Sequence, residues 1–262
     1  MFFEVNGAAC FADTAGQAAD PAKKSVLFVH GAGQDHSIWD LQSGYFAAHD
    51  RNAIAVDLPG HGQSEGQALP SIEAIADWLM NALDAARIDG AAIVGNSLGS
   101  LAAIAAAARH PDRVRAIALI GVSVPMPVNE TLLDAAKNNR GEAIDMLAKW
   151  SFSKSILADN DPTKGNALLQ TARQMLERAR PGVLYSDLKA CDGYAAGLSD
   201  AATVRCPALL ILGEQDRLTP ARNATQLAQA LPCAETVILP GCGHAMLAEQ
   251  PDSVLDPLIR VV

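Results

Sequence analysis

The sequence predicts an α/β protein, a mostly parallel sheet of eight strands flanked by helices and interrupted once by a helical insertion. Three observations carry that prediction. Short apolar runs alternate with longer stretches of helical periodicity. One run, Ala91-Ala92-Ile93-Val94, ends in Gly95-Asn96-Ser97-Leu98-Gly99 and passes at Leu101 into an alanine-rich segment of strong helix formers. Between about Val124 and Val204 the strand rhythm stops.

In order, residues 2–5 and 8–12, joined at Asn6-Gly7, read as an antiparallel hairpin. Residues 25–29 are an unbroken apolar run, as a strand covered on both faces requires, and end in His30-Gly31-Ala32-Gly33-Gln34. Trp39, Leu41, Tyr45 and Phe46 mark a helix with one apolar face. Residues 52–56 form the next strand, stopping at Asp57-Leu58-Pro59-Gly60-His61-Gly62. Ser71 opens a helix carrying Ile72, Ile75, Leu79, Leu83 and Ile88, with Glu73 in its dipole-favoured first turn. Residues 114–120 are a further buried strand. Helices are expected over 131–150 and 166–180, with a shorter piece near 184–188. A helical insertion between strands of such a sheet is expected to cap the strands' carboxyl ends, where ligands bind. The expected division is therefore a core of 1–123 and 205–262 and a helical cap of 124–204. Strand 208–212 then ends at Gly213-Glu214-Gln215-Asp216, helix 221–230 follows, and strand 236–239 exits through Pro240-Gly241-Cys242-Gly243-His244. Residues 253–262 close the chain as a helix.

Composition sets bounds. With 262 residues, half of them hydrophobic, the chain suits one large domain with a sizeable core. A net charge of −9 argues against nucleic acid as a partner, because phosphate binding needs a basic patch. No stretch approaches an uninterrupted membrane span, and Met1 to Val5 lacks the basic start of a signal peptide. Cysteines 10, 191, 206, 233 and 242 are odd in number and show no C-x-x-C spacing, so they read as reduced residues of a cytoplasmic protein. No histidine spacing suggests a metal, and no cofactor is called for.

Strand, Gly-flanked turn and helix are the context in which G-x-S-x-G carries chemistry. The turn strains its central residue and presents the Ser97 hydroxyl at a helix N-terminus, where backbone N–H groups favour an oxyanion. A serine is a poor nucleophile without a base. Imidazole supplies one near neutrality, and a carboxylate on its other nitrogen fixes the tautomer. Ser97, Asp216 and His244 stand in that order at three strand ends, and a parallel sheet opens every strand end on one edge.

On these residues, together with His30-Gly31 and Asp57-Leu58-Pro59-Gly60-His61-Gly62, the chain resembles the α/β-hydrolase-fold serine hydrolases. The resemblance implies Ser97 as nucleophile, His244 as general base and then acid, and Asp216 as its orienting carboxylate. It implies an oxyanion hole from the backbone N–H groups of Leu98 and Ala32, with Gly33 the weaker substitute for Ala32. Asp57 also ends a strand, but the resemblance gives it a role in loop structure. His30 and His61 are expected to bond backbone, and His36, His49 and His110 to be exposed or capping.

The Gly95–Gly99 turn is similar to that of carbon–carbon bond hydrolases of ring-fission products, but Ser100 and Ala245 depart from their usual Gly and Trp. Residues 244–251 look more like small esterases, lactonases and perhydrolases. The expected activity is hydrolysis of a small carboxylic ester or lactone through an acyl-enzyme, with carbon–carbon cleavage or a non-catalytic binding role as alternatives. Met126, Met146 and Trp150, with Phe152 and Tyr185, are the candidates for the substrate wall, and monomer or homodimer is expected.

Overall fold

The computed structural model describes residues 1–157 and 162–262. One sheet organises them, with strands β1 (Phe2–Val5), β2 (Ala8–Asp13), β3 (Lys24–Val29), β4 (Arg51–Val56), β5 (Ala91–Asn96), β6 (Val114–Ile120), β7 (Ala208–Gly213) and β8 (Ala234–Leu239). Their order is β1-β2-β4-β3-β5-β6-β7-β8. From β4 to β8 every pairing is parallel, and the β1–β2 hairpin joins β4 antiparallel. Asn6 and Gly7 both take positive φ, 53° and 80°, as a two-residue hairpin turn demands.

The unbroken apolar strands are explained by two cores, one on each face of the sheet. Leu27, Val29, Ile93, Leu119 and Leu210 point to one, while Val26, Phe28, Val94, Ile120 and Ile211 point to the other. On the first face lie α2 (Ile72–Ala85), α3 (Leu98–Arg109), α9 (Gly197–Thr203) and α10 (Thr225–Ala230); on the second lie α1 (Asp40–Ala48), α11 (Met246–Glu249) and α12 (Pro251–Val261). The alanines of α3 have a packing reason. That helix is buried all round, and small side chains let it fit between the sheet, α2 and α9.

Between β6 and β7 the described chain forms α4 (Glu130–Asn138), α5 (Arg140–Ser151), α6 (Lys154–Leu157), α7 (Pro162–Arg178), α8 (Val183–Gly193) and α9. The single helix expected over 131–150 is two helices. Asn139 leaves helical geometry (φ −144°, ψ 75°), and its side chain caps α5 through Glu142 N–H. The short piece expected near 184–188 is an eleven-residue helix. α4, α5, α7 and α8 share a third, smaller core of Leu132, Ala143, Ile144, Leu147, Leu176, Leu184 and Leu188. α9 packs instead on α3 and α10, beside the sheet. No helix among the described residues is long and apolar enough to cross a membrane.

Candidate active site

β5 delivers Ser97 to the first turn of α3 with φ 52° and ψ −111°, a left-handed conformation that costs a non-glycine residue about 1–3 kcal/mol. The neighbours show why the turn reads Gly-x-Ser-x-Gly. A Cβ on Gly95 would overlap the Gly99 carbonyl, and one on Gly99 would overlap the Val29 carbonyl at the end of β3. Ser97 N–H donates to Ile120 O at 2.8 Å, fastening the turn to β6. Among the described residues, Leu98 N–H, the next amide, donates to no protein acceptor.

His244 leaves β8 by a tight turn and is 7% exposed. Its Nδ1–H donates to Asp216 Oδ2 at 2.7 Å. Asp216 lies beyond β7, and its carboxylate also accepts the Thr219 hydroxyl (2.7 Å) and the N–H groups of Leu218 and Thr219, each at 2.8 Å. Burial pushes the Asp216 carboxyl up, but the His244 charge, its hydrogen bond and the Thr219 donors outweigh that and hold it below the usual carboxylate range. Gly121, after β6, has φ 63°, and a Cβ there would lie 2.9 Å from His244 Cε1. That glycine carried no signal in the sequence, because it lies outside any turn motif. Ser97 and His244 line one cavity of about 630 Å³, together with Asn96, Gly31 and Ala32.

Asp57 sits elsewhere. It accepts His36 Nδ1–H and His36 N–H, both at 2.8 Å, and Gln63 N–H at 2.8 Å, which makes it the anchor of its own loop. His36 is therefore not the exposed or capping residue expected but the partner of Asp57. His30 bonds backbone as expected: Nδ1–H donates to Gly31 O (2.9 Å) and Nε2 accepts Leu58 N–H (3.1 Å). Burial, then the nearby His61 charge, drives its pKa down to about 4. His61 donates to Pro59 O at 3.1 Å but also to Asp187 Oδ2 of α8 at 2.8 Å. Gly33 N–H donates to the same Asp187 oxygen at 2.8 Å, so Gly33 is not free to take the place of Ala32. Ala32 N–H, like that of Leu98, donates to no acceptor among the described residues.

Met126 and Trp150 lie on the cavity wall with Phe152, while Met146 does not. Met146 packs into the third core, and Leu147, the next residue of α5, faces the cavity in its place. Tyr185 borders a separate, smaller pocket under Lys137. Leu132, Leu168, Met175, Leu176 and Leu188 make most of the remaining wall apolar, and among the described residues no carboxylate lines it. Arg217 is the one guanidinium among the described residues of the wall, and this side chain donates to Lys149 O (2.5 Å) and Phe152 O (3.5 Å) at the end of α5. Among the described residues no cluster of His, Cys, Asp and Glu is arranged to hold a metal ion.

Residues 26–256 match the alpha/beta hydrolase family. The chain is 32% identical to a pimeloyl-[acyl-carrier protein] methyl ester esterase of Chromobacterium violaceum, across 93% of this chain and 94% of that one. It is 30% identical to a 2-hydroxymuconate semialdehyde hydrolase of Pseudomonas putida, across 84% and 80%. Among solved structures it superposes on an N-acyl homoserine lactone degrading enzyme with a TM-score of 0.84 at 23% identity, covering both chains fully. An enol-lactonase of Burkholderia xenovorans gives 0.83 at 22% identity, over 100% of this chain and 99% of that one.

Proposed function

Because the chain belongs to the alpha/beta hydrolase family, we propose that it hydrolyses a carboxylic ester or lactone through an acyl-enzyme formed on Ser97. The observation that carries this reading is the shared cavity of a strained helix-N-terminal serine and an imidazole whose Nδ1 is bound to a buried carboxylate. Ser97 Oγ attacks the acyl carbon while its proton passes to His244 Nε2. Asp216 keeps the ring in the tautomer that exposes Nε2 and stabilises the imidazolium. The carbonyl oxygen becomes an oxyanion held by the N–H groups of Ala32 and Leu98. Collapse breaks the bond to the leaving alkoxide, which takes the proton from His244, and water then repeats the sequence on the acyl-enzyme.

Residues 124–204 act in this reading as the cap. The acyl chain lies against Leu132, Leu147, Leu176 and Leu188, with Met126 and Trp150 beside it, and the alcohol part is small, as in the methyl ester named for the C. violaceum relative. The enzyme is placed in the cytoplasm, on the reading of five unpaired cysteines, and it acts on a small molecule as a monomer or homodimer without a cofactor. The P. putida relative favours carbon–carbon cleavage as the second reading, served by the same three residues.

The test is a screen of p-nitrophenyl acetate, butyrate and octanoate alongside lactones and a ring-fission diketone. Ester or lactone turnover above diketone turnover is expected. Ser97→Ala should leave the fold intact and reduce hydrolysis to the ~10³–10⁴-fold over water that binding and oxyanion contacts alone supply. Near wild-type turnover in Ser97→Ala would sink the assignment.

A further inference from the structure

Asp187 belongs to none of the motifs above, yet it is 2% exposed, a carboxylate buried in a helix that packs over the strand ends. Its Oδ2 receives two donors from two loops of the sheet: Gly33 N–H from the loop after β3, and His61 Nε2–H from the loop after β4. His61 is 1% exposed, and each of its ring nitrogens meets an oxygen, Pro59 O on one side and Asp187 on the other. A neutral imidazole has one N–H, so a ring between two acceptors is an imidazolium. Burial works against that charge, but the Asp187 carboxylate, its hydrogen bond and the Pro59 carbonyl overcome it and raise the ring above its ordinary value.

The consequence falls on Ala32. Two peptide planes meet at its Cα. The carbonyl of the Gly31–Ala32 plane accepts His30 Nδ1–H (2.9 Å) and Gln34 N–H (3.2 Å). In a trans peptide the N–H lies opposite the C=O, so fixing Gly31 O aims Ala32 N–H the other way. The second plane, Ala32–Gly33, is fixed by the bond from Gly33 N–H to Asp187. Gly33 has φ 67°, and a Cβ there would press on Leu184 and Leu176, so the loop is fitted closely against α8 and α7. Two of the three hydrogen bonds that set the direction of Ala32 N–H come from the loop after β3. The third comes from α8.

We propose that Asp187 is a positioning residue, which couples the seating of α8 to the geometry of the oxyanion hole by holding Gly33 N–H against the His61 imidazolium. This rests on the reading of Ala32 and Leu98 as the oxyanion donors. When α8 lifts, Gly33 N–H loses its acceptor and the Ala32–Gly33 plane, at the centre of the turn closed by Gln34 N–H on Gly31 O, is free to rotate; that turn bond loosens, the Gly31–Ala32 plane loses one of its two anchors, and the Ala32 donor drifts off the position the oxyanion will occupy. Full transition-state stabilisation is thereby reserved for the closed arrangement, in which substrate is already shielded from water.

The experiment compares Asp187→Asn and Leu184→Ala with wild type, using ester kinetics and a trifluoromethyl ketone. That ketone forms a reversible hemiketal with Ser97, and its oxygen occupies the oxyanion position. Asp187→Asn should lower kcat about 10- to 100-fold, less than loss of a whole oxyanion donor, and weaken the ketone by a similar factor. KM and inhibition by the product acid should stay within about threefold, since ground-state contacts are untouched. Leu184→Ala removes apolar packing from the same helix but leaves in place the two Asp187 bonds that seat α8 on the loops, so it should lower Tm while keeping both kcat and ketone affinity. Equal losses in the two variants, or a loss in Asp187→Asn confined to KM, would overturn the proposal. Amide exchange in the wild-type protein gives a reading that needs no variant: Gly33 N–H should be protected relative to Ala32 N–H, and equal rates would refute the link. Ser97→Ala separates the levels. If that variant is inactive while Asp187→Asn behaves as wild type, the hydrolase reading stands and only the role of Asp187 falls; if Ser97→Ala stays active, the hydrolase reading itself fails.

Discussion

Two buried pairs of aspartate and histidine lie in this molecule, and they differ in one nitrogen. Asp216–His244 and Asp187–His61 are alike in length, 2.7 and 2.8 Å, and all four side chains are less than a tenth exposed. In the first pair Nδ1 meets the carboxylate, and Nε2 makes no hydrogen bond among the described residues, on a ring that borders the cavity. In the second pair both nitrogens are taken, one by the carboxylate and one by a backbone carbonyl. In the proposed reading the open nitrogen gives His244 the means to take and return a proton, while two acceptors hold His61 as a fixed cation. Identity of residue types, distance and burial therefore do not distinguish a base from a fastener; the partner of the far nitrogen does.

The sharpest way to break the comparison is to neutralise the carboxylate of the proposed reacting pair. Asp216→Asn keeps the shape and allows the amide to favour the wrong tautomer, so kcat should fall by ~10⁴-fold with little change in Tm. Asp57→Asn serves as the contrast. Its carboxylate holds His36 and Gln63 rather than His244, so this variant should lose stability while kcat per folded molecule stays near wild type. Measuring kcat and thermal melting on both variants decides it, and the reverse pattern would transfer the acid role to Asp57.

The contrast between the pairs also marks where the sequence could be read and where it could not. Ser97, Asp216 and His244 each follow an apolar strand run and stand in Gly- or Pro-marked turns, so local pattern places them on one edge of the sheet. Asp187 has no such frame, since its partners lie 126 and 154 residues away in sequence. One signal was available. Val183, Leu184, Leu188 and Cys191 form the buried stripe of α8, and Asp187 falls on it, so a carboxylate occupies an apolar position and must be paired there. The helical segment was less legible for a related reason. The break at Asn139 depends on a side-chain cap, and α9 was missed because its seven residues are too few to establish a period. Met146, a candidate for the wall, packs behind it because adjacent positions on a helix face 100° apart, and Leu147 holds the place instead.

A wall residue should disturb neither pair, which gives the comparison a control of intermediate size. Trp150 borders the cavity and Met146 lies behind it. Trp150→Ala should shift the ratio of octanoyl to acetyl ester specificity constants, at about 1–3 kcal/mol of discrimination per methylene gained or lost, while affinity for the trifluoromethyl ketone warhead on a short chain is kept. Met146→Ala should lower Tm and leave the ratio alone. A chain-length shift in Met146→Ala equal to that in Trp150→Ala would place the acyl chain on the far side of α5.

The smallest expected effect is a dependence of stability on pH that belongs to the fastening pair. His61 has its folded-state pKa raised, so its pairing contributes fully below the ordinary imidazole value of about 6.5 and is lost as pH rises through the raised value. His36, raised chiefly by its hydrogen bond to Asp57, gives a slope of the same sign. His30, lowered to about 4, gives the opposite sign and acts on the acid side, because the unfolded chain takes up its proton first. Asp57, lowered despite its burial because His36 and Gln63 donate to it, also acts only in acid. The buried thiols, Cys191 among them, are raised by burial and add a loss of stability only near and above the ordinary thiol value of about 8.5. Between pH 6.5 and 8 the histidine pairs are thus isolated. Unfolding free energy should fall by on the order of 1 kcal/mol across that interval, and His61→Gln should remove the larger part of the slope, His36→Gln the smaller. His36 is 20% exposed at its side chain against 1% for His61, so water already screens part of its charge. Urea titrations of the three proteins at pH 6.5, 7.25 and 8 measure it. A slope left intact by His61→Gln would mean that His61 is neutral in the folded state, and the distinction between a base and a fixed cation would fall.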